Sequence, residues 1–173
     1  MRRFLKVYNQ TVFAPAVTAV LFLSVFSLAI GNRVQEIEGV PFIEFMVAGI
    51  IMMTLVQNAF ANTSSSLTMG KVLGNIIDYL LPPLHAREIV FGIAFAGITR
   101  GLITGVVVAI TAQIFFTDLS LHNFWLMIFY AVAAAALLSV LGMIAGIFSE
   151  TFDRMSAITS YVITPLSFLS GTF

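Results

Sequence analysis

The stretch from Leu119 to Ser149, LSLHNFWLMIFYAVAAAALLSVLGMIAGIFS, holds no Asp, Glu, Lys or Arg anywhere along its length. A helix rises about 1.5 Å per residue, so about 20 apolar residues cross the ~30 Å hydrocarbon core of a bilayer. This stretch is long enough to do so, and it has no charged face of the kind a surface helix of a soluble protein turns to water. The whole chain agrees: 60% of its residues are hydrophobic and 9% charged, with a mean hydropathy of +1.04, more apolar surface than a soluble core of this size can bury. The sequence predicts an all-α fold, a polytopic transmembrane helical bundle.

Gaps between charges locate the other spans. Upstream, Ile89 to Thr117 is interrupted only by Arg100, Phe45 to Gly70 has its apolar heart at Phe45 to Ala61, and Val7 to Asn32 has its heart at Val12 to Ile30. Downstream, Met155 to Phe173 is the fifth. One transmembrane domain over 1–173 is therefore expected, with spans near 12–30, 45–61, 92–116, 124–148 and 157–173. The start Met1-Arg2-Arg3-Phe4-Leu5-Lys6 is basic like that of a signal peptide, but the apolar stretch after it is too long and lacks a small-residue cleavage site, so it reads as a retained span.

Eight Lys and Arg balance eight Asp and Glu, which gives no sign of a nucleic-acid partner. The positions of the charges are more telling. With a cytoplasmic amino end, the inner segments hold Arg2, Arg3, Lys6, Lys71, Arg87 and Arg154, and the outer ones hold only Arg33. That is the asymmetry of a multi-pass protein of a cell membrane.

The outer connections, Gly31 to Pro41 and Asp118 to Asn123, are short, whereas the inner loop 62–88 is the longest and the place where function should be readable. In it, Lys71 to Leu81 sets Val72, Leu73, Ile76, Ile77 and Leu80 on one helical face and Lys71, Asn75 and Asp78 on another. An amphipathic helix is expected there, stopped by Pro82-Pro83. Such a helix either lies in the lipid interface or docks a partner.

Polar residues inside spans are the other candidates. Thr54, Asn58 and Asn62 recur every four residues with Gln57 beside them, a stripe that should face protein or water, for interhelical hydrogen bonds or for substrate. Gly97, Gly101 and Gly105, and again Gly142 and Gly146, predict close helix approach. Arg100 either snorkels to head groups as an interfacial anchor or is buried in a gating or substrate-facing role.

Motifs for chemistry are missing. With no cysteine there is neither disulfide nor thiolate site, and His85 and His122 have no carboxylate at metal-ligand spacing. No nucleophile elbow occurs, and Gly70-Lys71-Val72 lacks the upstream glycine and the hydroxyl of a phosphate loop. No catalytic residue, metal or bound cofactor is expected, and the chain is read as a non-enzyme.

Particular residues resemble the permeases of ABC-2 type transporters: Phe4-Leu5-Lys6-Val7-Tyr8-Asn9-Gln10-Thr11-Val12-Phe13-Ala14-Pro15 entering span one, Gln57-Asn58-Ala59-Phe60 with the polar run Asn62 to Ser66, Asp78-Tyr79-Leu80-Leu81-Pro82-Pro83-Leu84, Arg100-Gly101, and Thr164-Pro165 through Phe173. The resemblance covers essentially the whole chain and implies a sixth span beyond Phe173, a two-fold dimer of permeases in a bacterial inner membrane, and a separate cytoplasmic ATPase subunit that binds ATP and Mg²⁺. It further implies that a coupling helix docking that subunit occupies Asp78 to Glu88, including His85 and Arg87, and that Thr54, Gln57, Asn58, Asn62, Thr164 and Pro165 stand at the translocation path or dimer interface. The function expected is an ATP-driven exporter of a hydrophobic or amphipathic substrate. A transporter or channel driven by ion gradients is the alternative, and it lacks the intramembrane acid that coupling to protons or sodium needs. An intramembrane enzyme fits least well.

Overall fold

The computed structural model describes residues 14–30, 36–37, 39–116 and 123–169. The basic amino end, the first residues of span one, Arg33, Asp118, His122 and residues 170–173 lie outside them. Helix α1 (Ala14–Ile30) is followed by a two-residue hairpin of β1 (Glu36–Ile37) and β2 (Val40–Pro41), paired antiparallel with Gly39 in the turn at φ +82°. Then come α2 (Phe42–Val72), the short α3 (Ile76–Leu80), α4 (Ala86–Phe115) and α5 (Phe124–Phe148). A final rod joins α6 (Phe152–Ile158), a π-turn (Thr159–Ile163) and α7 (Thr164–Leu169).

Local chemistry sets these boundaries. Pro41 stands at the N-cap of α2, Glu44 lies in its first turn and Lys71 in its last, so each charge faces the complementary end of the helix dipole. The Glu88 carboxylate accepts from the His85 backbone N–H at 2.8 Å and closes the start of α4. The Thr151 hydroxyl accepts from the Arg154 N–H at 3.4 Å and opens α6.

Helix α2 is the centre of the bundle, packed against both α4 and α5, while α1 lies on α4 and α2. At one level Ala19 and Leu23 of α1 meet Met46, Val47 and Ile50 of α2 and Val108 and Ala112 of α4. Further along α2, Leu55 and Ala59 pack on Ala135, and Phe60 packs on Ala145 and Ile163. The sides of the bundle reverse the soluble pattern. Thr63, Ser64, Thr68, Thr104 and Ser139 are fully buried, while Phe91, Phe95, Ile114, Trp125 and Phe148 point outward. In lipid this costs nothing, because large apolar side chains are at home in hydrocarbon and hydroxyls must find partners inside. Helices α2, α4 and α5 are each long and apolar enough to cross a membrane.

Two expectations about the inner loop are corrected. It does not begin at Asn62, because α2 continues to Val72. The polar run does not break the helix: Ser64, Ser66 and Thr68 donate to the carbonyls of Phe60, Asn62 and Ser64 four residues back, at 2.9, 2.6 and 2.9 Å. The break comes at Gly74, whose φ of +73° is costly for any residue with a Cβ. Nor is there one amphipathic helix from Lys71 to Leu81. Residues 73–75 turn, and only Ile76–Leu80 are helical beyond them.

Candidate functional site

The small residues fix how closely the helices approach. A Cβ on Gly142 would overlap Thr63 Oγ1 and come within 2.5 Å of the Phe60 carbonyl oxygen. One on Gly101 would lie 2.8 Å from the Leu55 carbonyl oxygen, and one on Gly146 would lie 3.0 Å from that of Ser64. At this contact Thr63 donates to the Ser139 carbonyl at 2.9 Å, and Ser139 in turn donates to the Ala94 carbonyl at 3.0 Å. Two hydroxyls thus tie α2, α5 and α4 at one level, in a setting where each bond is worth roughly 0.6 to 1 kcal/mol.

The polar stripe on α2 divides. Thr54, Gln57, Asn58 and Asn62 are all half-buried, but Asn58 spends its amide within the helix, donating to the Thr54 carbonyl at 2.9 Å. Asn62 reaches across: its Oδ1 accepts from Nη1 of Arg100 on α4 at 3.1 Å. The Arg100 Nε is buried and has no hydrogen-bond partner among the described residues. Beside this pair a cleft of about 290 Å³ opens between α2 and α4, lined by Asn62, Ser66, Leu67, Gly92, Ile93 and Ala96.

Thr164 and Pro165 begin α7. Thr164 is half-buried and donates to the Thr159 carbonyl at 3.0 Å across the π-turn, and Pro165 is exposed. Among the described residues no hydrogen bond joins Thr164 to the α2 stripe. The proline lacks the N–H that an unbroken α-helix needs at that position, and the wider π-turn lies just before it.

The segment from Asp78 to Glu88 is not a single helix. Asp78, Tyr79 and Leu80 end α3, Leu81, Pro82, Pro83 and Leu84 form a bend, His85 caps α4, and Arg87 and Glu88 lie in its first turn. Two prolines in succession deny the chain consecutive donors, which accounts for the interruption. The segment nevertheless stands clear of the bundle. Leu81 is 72% exposed and Leu84 52%, with Val72, Leu73 and Ile77 exposed beside them.

Sequence reasoning missed the partner of Lys71. Its ammonium crosses to the end of α5 and donates to the carbonyls of Gly146 at 3.0 Å, Ile147, and Ser149 at 3.3 Å. It also missed the Thr63 to Ser139 relay, although Ser139 stands out as a lone hydroxyl between Leu138 and Val140.

A bundle of long apolar helices, hydroxyl-bonded inside and apolar outside, with an exposed apolar connection at one end, defines a multi-pass membrane protein. The family model for the ABC-2 type transporter matches residues 1–173, and the chain belongs to that family as the membrane subunit of a transporter. It is 34% identical over 173 residues to the inner membrane transport permease YadH of Escherichia coli strain K12, and likewise to the protein of that name in Shigella flexneri. The alignment covers all of this chain and 67% of each relative. No solved structure matches the chain.

Proposed function

We propose that the chain is the permease of an ATP-binding cassette exporter, carrying a hydrophobic or amphipathic substrate out of the cytoplasm. ATP and Mg²⁺ belong to a separate ATPase subunit, and the permease has no catalytic role of its own. It works as a pair with a second permease copy, and its amino end is cytoplasmic. Lys71 in the last turn of α2, Arg87 in the first turn of α4 and Arg154 in the first turn of α6 flank the connections at one end of the bundle, in keeping with that orientation.

The observation that carries this reading is the exposed apolar connection between α2 and α4. Leu81 and Leu84 flank the double proline at a helix junction, where a docked ATPase would press. The ends of that connection are α2 and α4, so a displacement there reaches the helices that hold Asn62 and Arg100. Closing of the ATPase pair would rock α2 and α4 together and alternate access to the path.

The test is co-purification of the full-length permease with its ATPase subunit. Introducing Leu81→Glu and Leu84→Glu together should lower recovery of the ATPase by about tenfold or more, because buried apolar anchors dominate such interfaces. The thermal midpoint of the permease should not move, since both side chains are exposed. Full retention of the ATPase by the double variant refutes docking at this segment.

A further inference from the structure

Arg100 is a cation in the middle of an apolar helix, and its guanidinium has one hydrogen-bond partner among the described residues. It stands about 21 Å from Ala86, midway along α4 by the ~1.5 Å rise per residue. The bond from Ser139 to the Ala94 carbonyl fixes α4 against α5, and Arg100 lies well within the length of that neighbouring helix. A guanidinium has five N–H donors. Among the described residues one of them reaches a neutral amide oxygen on Asn62, the Nε has no partner, and no carboxylate pairs with the charge. The one ion pair there, Arg154 with Glu150, is exposed and lies beyond the end of α5. Cations at such a depth are costly unless a counter-charge meets them.

The space for a counter-charge is adjacent. Asn62 both holds Arg100 and lines the cleft of about 290 Å³, and Ala96, one turn before Arg100 on α4, lines it too. The cleft continues along α4 past Ile93 to Gly92, where a Cβ would meet nothing within 4 Å. Its walls are mixed: Asn62 and Ser66 are polar, and Leu67, Ile93 and Ala96 are apolar.

We infer that this cleft binds an anionic amphiphile, its phosphate or carboxylate meeting the Arg100 guanidinium at Asn62 and its apolar part lying along Leu67, Ile93 and Ala96. The planar fork of a guanidinium matches either anion with two parallel hydrogen bonds, which a neutral headgroup does not offer. Asn62 acts as a positioning residue, setting the orientation of the fork. The inference rests on the permease reading and narrows its substrate class. A resident bilayer lipid and a transported molecule share the chemistry.

The probe is a fluorescent short-chain phosphatidic acid, with the diacylglycerol of the same chains as the control that lacks the anion, bound to the full-length protein in maltoside micelles without ATPase or ATP. The wild type should prefer the anionic probe by about tenfold. Arg100→Gln should abolish that preference, Arg100→Lys should keep part of it, and Gly92→Leu should weaken binding of the anionic probe by filling open space. Equal binding of the two probes by the wild type, or an undiminished preference in Arg100→Gln, overturns the inference. If Arg100→Gln fails to fold, as judged by its thermal midpoint, the wild-type preference and Gly92→Leu decide. Adding the ATPase and ATP in proteoliposomes separates the sources, since a transported probe is cargo and a bound but stationary one is resident, and either upholds the site. The binding arm needs no ATPase, so its failure is distinct from a failure of docking at Leu81 and Leu84.

Discussion

Lys71, in the last turn of α2, donates from its ammonium to the Gly146 carbonyl oxygen at 3.0 Å, in the last turn of α5. Ile147 and Ser149 offer their carbonyls to the same group. The final carbonyls of a helix have no partner within it and carry the negative end of its dipole, so a single cation satisfies several of them at once. Lys71→Met should cost about 1 to 2 kcal/mol and lower the thermal midpoint in detergent by a few degrees, with Lys71→Arg closer to wild type. An unchanged midpoint in Lys71→Met would show that the clamp contributes nothing.

Gly142 and Gly92 offer a contrast between two helical glycines. At Gly142 a methyl would meet Thr63 Oγ1 and the Phe60 carbonyl oxygen, and a backbone atom cannot swing away. Gly142→Ala is expected to destabilise by about 1 to 3 kcal/mol or more. Gly92 faces open space, so Gly92→Ala should be neutral or stabilise by up to about 1 kcal/mol through helix propensity. Thermal unfolding of the two variants side by side checks the ordering, and equal effects would sink it.

Gly74 is the hinge between α2 and α3. The Gly74 N–H bonds the Lys71 carbonyl at 3.1 Å and the Leu73 N–H bonds the Met69 carbonyl at 3.0 Å, closing α2 before the chain turns with φ +73°. Gly74→Ala should cost about 1 to 2 kcal/mol, and Gly74→Asn less, because asparagine tolerates the left-handed region. Urea or thermal midpoints for both would test the order Gly, Asn, Ala.

The fold class was legible because bilayer thickness acts as a ruler on uncharged sequence: α5 lies inside the charge-free stretch from Leu119 to Ser149. The end of α2 was not legible, because the run from Asn62 to Thr68 has the polarity of a loop while its hydroxyls bond their own helix. The glycine spacing announced close packing but could not say which helix fills each notch. The candidate site fared less well for the same reason. Arg100 drew attention as an isolated charge, yet its partner Asn62 is 38 residues away and on another helix. Lys71 reads from sequence as the start of an amphipathic helix, whereas it lies in the last turn of α2. Periodicity reports which face of an element is polar, whereas a partner across the bundle is a property of tertiary geometry.

Gly97 and Ser139 meet across the contact between α4 and α5, and their coupling is measurable. A Cβ on Gly97 would overlap Ser139 Oγ and lie 2.6 Å from Thr63 Cγ2. Ser139→Ala removes the hydroxyl and its bond to the Ala94 carbonyl, at a cost of roughly 0.6 to 1 kcal/mol. Gly97→Ala alone should cost about 1 to 3 kcal/mol from overpacking. In the Ser139→Ala background part of that overlap is gone, but the contact with Thr63 remains, so Gly97→Ala should cost less without becoming free. The double-mutant cycle should therefore show a favourable interaction of about 0.5 kcal/mol or more between the substitutions. Strict additivity would mean that α4 and α5 relax apart on their own, and the hydroxyl relay from Thr63 through Ser139 would then have no part in setting their separation.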